Sequence, residues 1–290
     1  MKTRLVPFVL LAALCLVTAA RAAAPQGGPR FLGPKPPEKV KRVVTLAPSL
    51  TETVLALGAG STLVGVSRFD EAKEVAGLRR VGGFVDPSVE AIIGLRPDLL
   101  LVQPSPGNQR PVEKLAELGV PVLLLPLHTV ADTLAALRAV GKALGKDKEA
   151  ETLVQRIEST RARIREAAKG LKPPRVLFAY GFEPLVVAGP GSFADELMRD
   201  AGALNVAADA GSEYPVYSVE HAVMAAPDVV VDAADVDVGK DKLTAILSRS
   251  RWVEVPSLAL LQPGPSLGRG LEELFQLLHP SAKPGTGTVR

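Results

Sequence analysis

From Arg42 the chain alternates between short apolar runs and longer stretches with helical spacing. Arg42–Ala47, Thr62–Ser67, Asp98–Val102 and Val120–Pro126 are apolar almost throughout, the pattern of strands buried on both faces of a parallel sheet. Between them the segments starting at Ser49, Pro87 and Gln109 read as helices. Ser49 and Glu52 have capping-box spacing, and Gly58 closes the first helix. Leu134, Leu137, Val140 and Leu144 then mark an amphipathic helix. After it, Lys146–Lys169 runs without a breaker, with Leu153, Ile157 and Ile164 on one side. A helix of about 24 residues would be about 36 Å long. The alternation restarts at Arg175–Tyr180 and continues through PLVVAG, a helix over Ser192–Gly202, a strand at Asp228–Ala233, a strand at Leu258–Gln262 and a closing helix stopped by Pro280.

The two halves resemble each other. SVEAIIGLRPDLLLV begins at Ser88 and SVEHAVMAAPDVVVD at Ser218, 130 positions later; Arg42 and Arg175, which open the leading strands, are 133 apart. A period this long is a duplicated domain, since solenoid units span about 20–50 residues. The expected fold is α/β: two similar parallel-sheet lobes, 41–145 and 171–290, joined by one long rigid helix over 146–170. Ligands bind outside the carboxyl ends of parallel strands, so a cleft between the lobes is the expected site.

The N-terminus changes what the composition means. Lys2 and Arg4, an apolar run from Leu5 to Ala20 and the small residues at Ala20-Arg21-Ala22 make residues 1–22 a signal peptide, cleaved near Ala22. Leu14 before Cys15 argues against lipidation. Cleavage removes the only cysteine, and with it any disulfide or thiol chemistry. It also removes Lys2, Arg4 and Arg21 and no acid, which turns 34 basic and 31 acidic residues into an even balance. A neutral mature chain with no Lys/Arg block gives no footprint for nucleic acid. Residues 23–40, rich in Pro and Gly, read as a flexible leader, with order beginning at Lys41.

Aromatic residues form 4% of the chain, and all three tyrosines fall in loops that follow strands. These loops make Ser49, Phe69, Phe84, Gln103, Tyr180, Gly181, Tyr214 and Tyr217 the candidate ligand-binding residues, suited to a large, flat, partly apolar molecule. Catalytic residues are not evident. Ser49 reads as a helix cap rather than a nucleophile. His128, His221 and His279 share no metal-ligand spacing, so no metal site is expected. His128 follows a strand, where it could face the cleft or pack locally. Gly189-Pro190-Gly191-Ser192 lacks the Gly-Lys-Ser/Thr ending of a phosphate loop. Glu90 and Glu220 occupy equivalent places in the repeat. An acid in a first helical turn stabilises the helix by about 0.3–1 kcal/mol, but one per lobe also suits docking to a two-fold partner with basic pockets.

From about Arg42 to Pro280 the chain resembles the class III periplasmic substrate-binding proteins of ABC importers, which carry cobalamin, ferric siderophores or haem. RVVTLAPSLTETVLALGAGSTLVGVS is similar to the cobalamin-binding members, as are VDPSVEAIIGLRPDLLLV and GVPVLLLP. The resemblance implies two α/β lobes on one rigid helix, and one Glu per lobe, here Glu90 and Glu220, paired with arginines of the membrane permease subunits. It also implies a cleft lined by aromatics at Phe84, Tyr180, Tyr214 and Phe69. A Trp of the family pattern is replaced around Gln103-Pro104. The expected protein is a monomer in the periplasm, without catalytic residues or a cofactor of its own, delivering a cobalamin-type ligand. A ferric siderophore or haem is the alternative cargo, and an enzyme on the same scaffold is the competing class.

Overall fold

The computed structural model describes residues 27–282, so the expected signal peptide, 1–22, lies outside the described residues. The N-terminal lobe is built from β1 (Arg30–Leu32), β2 (Val43–Thr45), α1 (Pro48–Ala56), β3 (Leu63–Val66), β4 (Arg79–Arg80), α2 (Val89–Gly94), β5 (Leu99–Val102), α3 (Gln109–Glu117) and β6 (Val122–Leu124). Its sheet runs β1-β6-β5-β2-β3-β4, parallel except for β1, which lies antiparallel on β6. Every residue of β2, β5 and β6 is buried, as continuous apolar runs require. Val43, Leu99 and Leu101 pack with Leu50 and Val54 of α1 on one face. Val44, Leu100 and Val122 pack with Ile92 of α2 and Leu115 of α3 on the other.

Two helices follow, α4 (Val130–Leu144) and α5 (Asp147–Ala168). The C-terminal lobe then comprises β7 (Arg175–Phe182), β8 (Leu185–Val187), α6 (Phe193–Asp200), β9 (Leu204–Asn205), α7 (Val219–Ala225), β10 (Val229–Asp232), α8 (Lys240–Ile246), β11 (Arg251–Glu254) and α9 (Leu267–Leu278). Its sheet runs β11-β10-β7-β8, with β9 beside β7; β8 alone is antiparallel.

The sequence repeat is a structural repeat down to single bonds. The order β6-β5-β2-β3 in one lobe is matched by β11-β10-β7-β9 in the other. Ser88 and Ser218 both cap their helices, accepting from the backbone amides of Ala91 and His221. Asp98 accepts from the Arg42 amide and Asp228 from the Arg175 amide. The Arg42 guanidinium donates to the Leu95 carbonyl and the Arg175 guanidinium to the Ala225 carbonyl. The next residues, Arg96 and Ala226, have φ of 44° and 43°, the only described non-glycine residues with positive φ. Pro97 and Pro227 deny the residue before them the right-handed helical region, and the arginine clasp holds the resulting turn.

The long helix expected between the lobes is α5, 22 residues, and α4 packs beside it. Val130, Leu134 and Leu137 of α4 pack in one core with Phe178, Leu197, Leu271 and Phe275 of the C-terminal lobe. On the same helix, Ala136 and Val140 pack with the N-terminal lobe, together with Ala150 of α5. Gly141 lets the two helices approach closely, since a Cβ there would stand 2.4 Å from that of Ala150. The connecting helix is thus backed by α4, which contributes side chains to both cores. Arg161 and Arg165 of α5 each reach the buried Asp200 at 2.6 Å. Glu196 of α6 accepts from the Val130 amide at 3.1 Å, and burial pushes its carboxyl above the ordinary value.

Four local expectations are corrected. The leader is ordered from β1 onward, because its RFL segment completes the hydrogen bonds of an exposed edge on β6. Leu258–Gln262 is not a strand: Leu258–Leu260 form a 3-10 turn capped by Ser257. The strand that pairs with β10 is β11, whose RWVE run is exposed at both ends and so lacks an apolar signature. Ser49 does not cap α1; Pro48 occupies its first turn and Ala47 the cap.

Candidate functional site

The carboxyl ends of β3, β4, β5 and β6 deliver four loops to the N-terminal wall of the cleft. After β5 the chain turns at Gln103–Asn108, and Asn108 is 1% exposed. Its Nδ2 donates to the carbonyl oxygens of Phe84 and Gln103, both at 2.9 Å, and its Oδ1 accepts from the Ser105 amide at 3.0 Å. One side chain thus ties the Phe84 loop to the Gln103 loop. Phe84, Gln103, Asn108 and His128 line a cavity of about 480 Å³, which Arg30 and Leu32 of β1 also border.

On the C-terminal wall, β7 continues past its expected end to Phe182. A register shift between Ala179 and Gly181 leaves Tyr180 as the extra residue opposite β8. Such a bulge re-aims a side chain. The Tyr180 ring packs against Phe178, with centroids 5.2 Å apart, and edge-on against Tyr214 at 5.6 Å. The Tyr214 loop is pinned from below. The Gly189 amide donates to the Glu213 carbonyl at 2.8 Å, and a Cβ on Gly189 would stand 2.0 Å from the Ser212 oxygen. The glycine-rich turn therefore serves close packing of this loop. Desolvation pushes the Tyr180 hydroxyl well above the phenol range, and Tyr214 the same way, so both rings are neutral phenols.

The walls face each other through His128 Nδ1 and Glu213 Oε2, 3.7 Å apart. Deeper, the lobes touch where Ser266 donates to Glu52 and Gly264 packs on Ser49. Phe69, 58% exposed, borders a second hollow that spans the lobes, with Glu52 on one side and Leu258 and Gln262 on the other. Arg68 lies 5.3 Å from the Phe69 ring centre. The same guanidinium, hydrogen-bonded to Asp86, holds that carboxyl below the ordinary range.

Of the residues expected from the sequence, Phe84 and Gln103 line the N-terminal cavity, Phe69 borders the second hollow, and Tyr180 and Tyr214 pack against each other in the C-terminal lobe. Ser49 is buried at the seam between the lobes rather than open to the cleft. Gly181 is paired within the β7–β8 hairpin, not at a loop tip. Tyr217 is elsewhere: its hydroxyl donates to the Val206 carbonyl at 3.1 Å, and its ring borders a hollow beside Glu220. Asn108, Arg30 and Glu213 were not singled out from the sequence. Only Asn108 carries a signal there, as an Asn at a loop-to-helix junction.

Glu90 and Glu220 are exposed in the first turns of α2 and α7. A helix that leads into a parallel strand starts at the sheet's carboxyl edge, so both acids lie on the cleft-bearing side. Ser218 donates to Glu220 at 2.6 Å, which lowers that carboxyl further below its ordinary value. Among the described residues no three His, Cys, Asp or Glu side chains are grouped to hold a metal, and no helix is long and apolar enough to cross a membrane.

The profile of the periplasmic binding protein family matches residues 43–259. A vitamin B12-binding protein of Pectobacterium carotovorum is 28% identical over 194 residues, covering 66% of this chain and 70% of that protein. An uncharacterized ABC transporter substrate-binding lipoprotein of Bacillus subtilis is 29% identical, covering 83% and 80%. Among solved structures, a periplasmic heme-binding protein from Pseudomonas aeruginosa superposes with a TM-score of 0.70 at 28% identity, covering 85% of this chain and 95% of the other.

Proposed function

Because the chain belongs to the periplasmic binding protein family, we propose that its cleft captures a cobalamin-type ligand and hands it to the permease subunits of an ABC importer. It is a binding protein of the importer kind, not an enzyme, and its family works in the periplasm. The observation that carries the ligand assignment is the Tyr180–Tyr214 pair of the C-terminal lobe, beside Glu213, which lies 3.7 Å from His128 of the cavity that Phe84 lines. Rigid rings on both walls suit a broad, flat macrocycle whose faces are apolar and whose rim is polar. The vitamin B12-binding relative points the same way. The corrinoid is cargo, and the protein works as a monomer without a cofactor of its own. Export uses residues 1–22, with cleavage near Ala22 and no lipid on Cys15. Glu90 and Glu220 dock the loaded protein on the two permease subunits.

Haem is the second reading, and a ferric siderophore remains with it as an iron-bearing cargo. The specific observation favouring haem is that His128 and the two tyrosine hydroxyls are side chains haem iron accepts as ligands, and the Pseudomonas aeruginosa neighbour is named for haem. Titration of the mature protein with cobalamin, haem and ferric siderophores, followed by absorbance and calorimetry, decides between them. Saturable cobalamin binding alone supports the first reading. Haem binding with a shifted Soret band overturns it in favour of the second, and binding of none refutes both.

A further inference from the structure

The first described strand brings a cation to the ligand edge of the sheet. Because β1 is antiparallel to β6, its beginning rather than its end stands level with the carboxyl ends of the parallel strands. Arg30 pairs with Leu124, the last residue of β6. Side chains alternate along a strand, so Arg30 and Leu32 share one face and Phe31 takes the other. Arg30 and Leu32 both border the cavity that holds Phe84, Gln103 and His128. The strand is held by register along its whole length. It then turns at Gly33, φ 78°, where an added Cβ would meet the Val120 carbonyl oxygen at 2.8 Å.

The guanidinium itself is exposed and has no hydrogen-bond or ion-pair partner among the described residues. The other ionisable groups around the cavity are engaged: Glu113 accepts from Gln109 at 2.9 Å, and His128 faces Glu213. Arg30 is thus a backbone-anchored cation without a partner among the described residues, at the edge of the cavity that holds Phe84 and His128.

We propose that Arg30 is a ligand-binding residue that reads an anionic group on the rim of the bound macrocycle. The inference rests on the tetrapyrrole reading of the cleft. Arginine suits the task because its charge is permanent and its fork of donors matches a carboxylate or a phosphate. Two sources share that chemistry: the phosphodiester of a cobalamin tail and the propionates of haem.

The test titrates wild-type mature protein and Arg30→Gln with cobalamin against cobinamide, which lacks the phosphodiester, and with haem against haem dimethyl ester. Arg30→Gln should weaken whichever ligand bearing the anionic group the wild type binds by about tenfold, and leave the counterpart lacking that group unchanged. Which pair responds identifies the source of the anion. Arg30→Lys should recover part of the loss, since it restores charge without the fork. Thermal unfolding of both variants should match the wild type. Affinity for the ligand bearing that group within about twofold of wild type overturns the inference, as does an equal loss for the counterpart lacking it. A wild type that binds neither macrocycle overturns the cleft assignment itself, a result distinct from either of these.

Discussion

Asn108 is the residue whose removal should matter most for its size. Asn108→Ala deletes two hydrogen bonds at 2.9 Å, to the Phe84 and Gln103 carbonyls, and one at 3.0 Å from the Ser105 amide. Intramolecular bonds of this kind contribute about 1 kcal/mol each, so the loss is about 3 kcal/mol. For a chain of this length 1 kcal/mol corresponds to roughly 2–4 °C, which places the fall in Tm at roughly 6–12 °C. Asn108→Asp is the sharper variant. It keeps the volume and the bond from Ser105 but turns a carboxylate oxygen toward two carbonyls, and should destabilise at least as much. Ligand affinity should fall in both, because the Phe84 and Gln103 loops lose their common anchor. Thermal unfolding and ligand titration on the same preparations measure the two effects. An Asn108→Ala protein that melts within about 2 °C of wild type and binds ligand equally well would show that the wall is held by something else.

Four further outcomes follow from the geometry. Phe84→Ala, Tyr180→Ala and Tyr214→Ala should each weaken binding by about 1–3 kcal/mol from lost apolar burial, and unchanged affinity in all three would place the ligand elsewhere. Tyr180→Phe separates the cargoes, since cobalamin binding should survive loss of the hydroxyl whereas haem binding through that oxygen should not. The Glu90→Gln, Glu220→Gln double variant should change stability only slightly and leave ligand affinity intact. Its association with the importer should weaken, because an interfacial charge left unpaired costs about 2–5 kcal/mol; normal association in a pull-down on membranes would return both acids to helix capping alone. Glu196 should show an inverted pH response. Burial raises its carboxyl above 4.5, so the folded state holds the proton more tightly; its contribution to stability is present below that value and lost as pH rises through the raised one. Glu196→Gln keeps an acceptor for the Val130 amide and should therefore be more stable than wild type near pH 7, an advantage that melting curves should show vanishing near pH 4.

The repeat made most of the fold legible before any coordinates. Ser88 and Ser218, Asp98 and Asp228, Arg42 and Arg175 recur because each is fixed by a backbone bond that both lobes need. What escaped was whatever lacks an apolar period. The charged RWVE of β11 is a strand only because β10 lies beside it, a pairing that its equivalence to β6 in the repeat could have suggested. RFL becomes β1 only because β6 offers an edge. At the site, aromatic loops were visible from the sequence, but which rings turn inward was not. A one-residue shift aims Tyr180 at Tyr214, while Tyr217 is drawn off by the Val206 carbonyl. Neither event has a local sequence signal.

The hairpin of α4 and α5 bears on how divisible this molecule is. Its halves look like two copies of one module, yet neither can stand alone. Expressed without α4, the C-terminal half would leave open the places of Val130, Leu134 and Leu137 in its core, side chains whose burial is worth about 1.5–3 kcal/mol apiece. That sum is comparable to the about 5–15 kcal/mol by which a typical domain is stable at all. The N-terminal half, keeping α4, would carry the same three residues bare to water. A helix shared by both cores should make the two halves melt in one transition, and swapping or circularly permuting them must carry the hairpin whole.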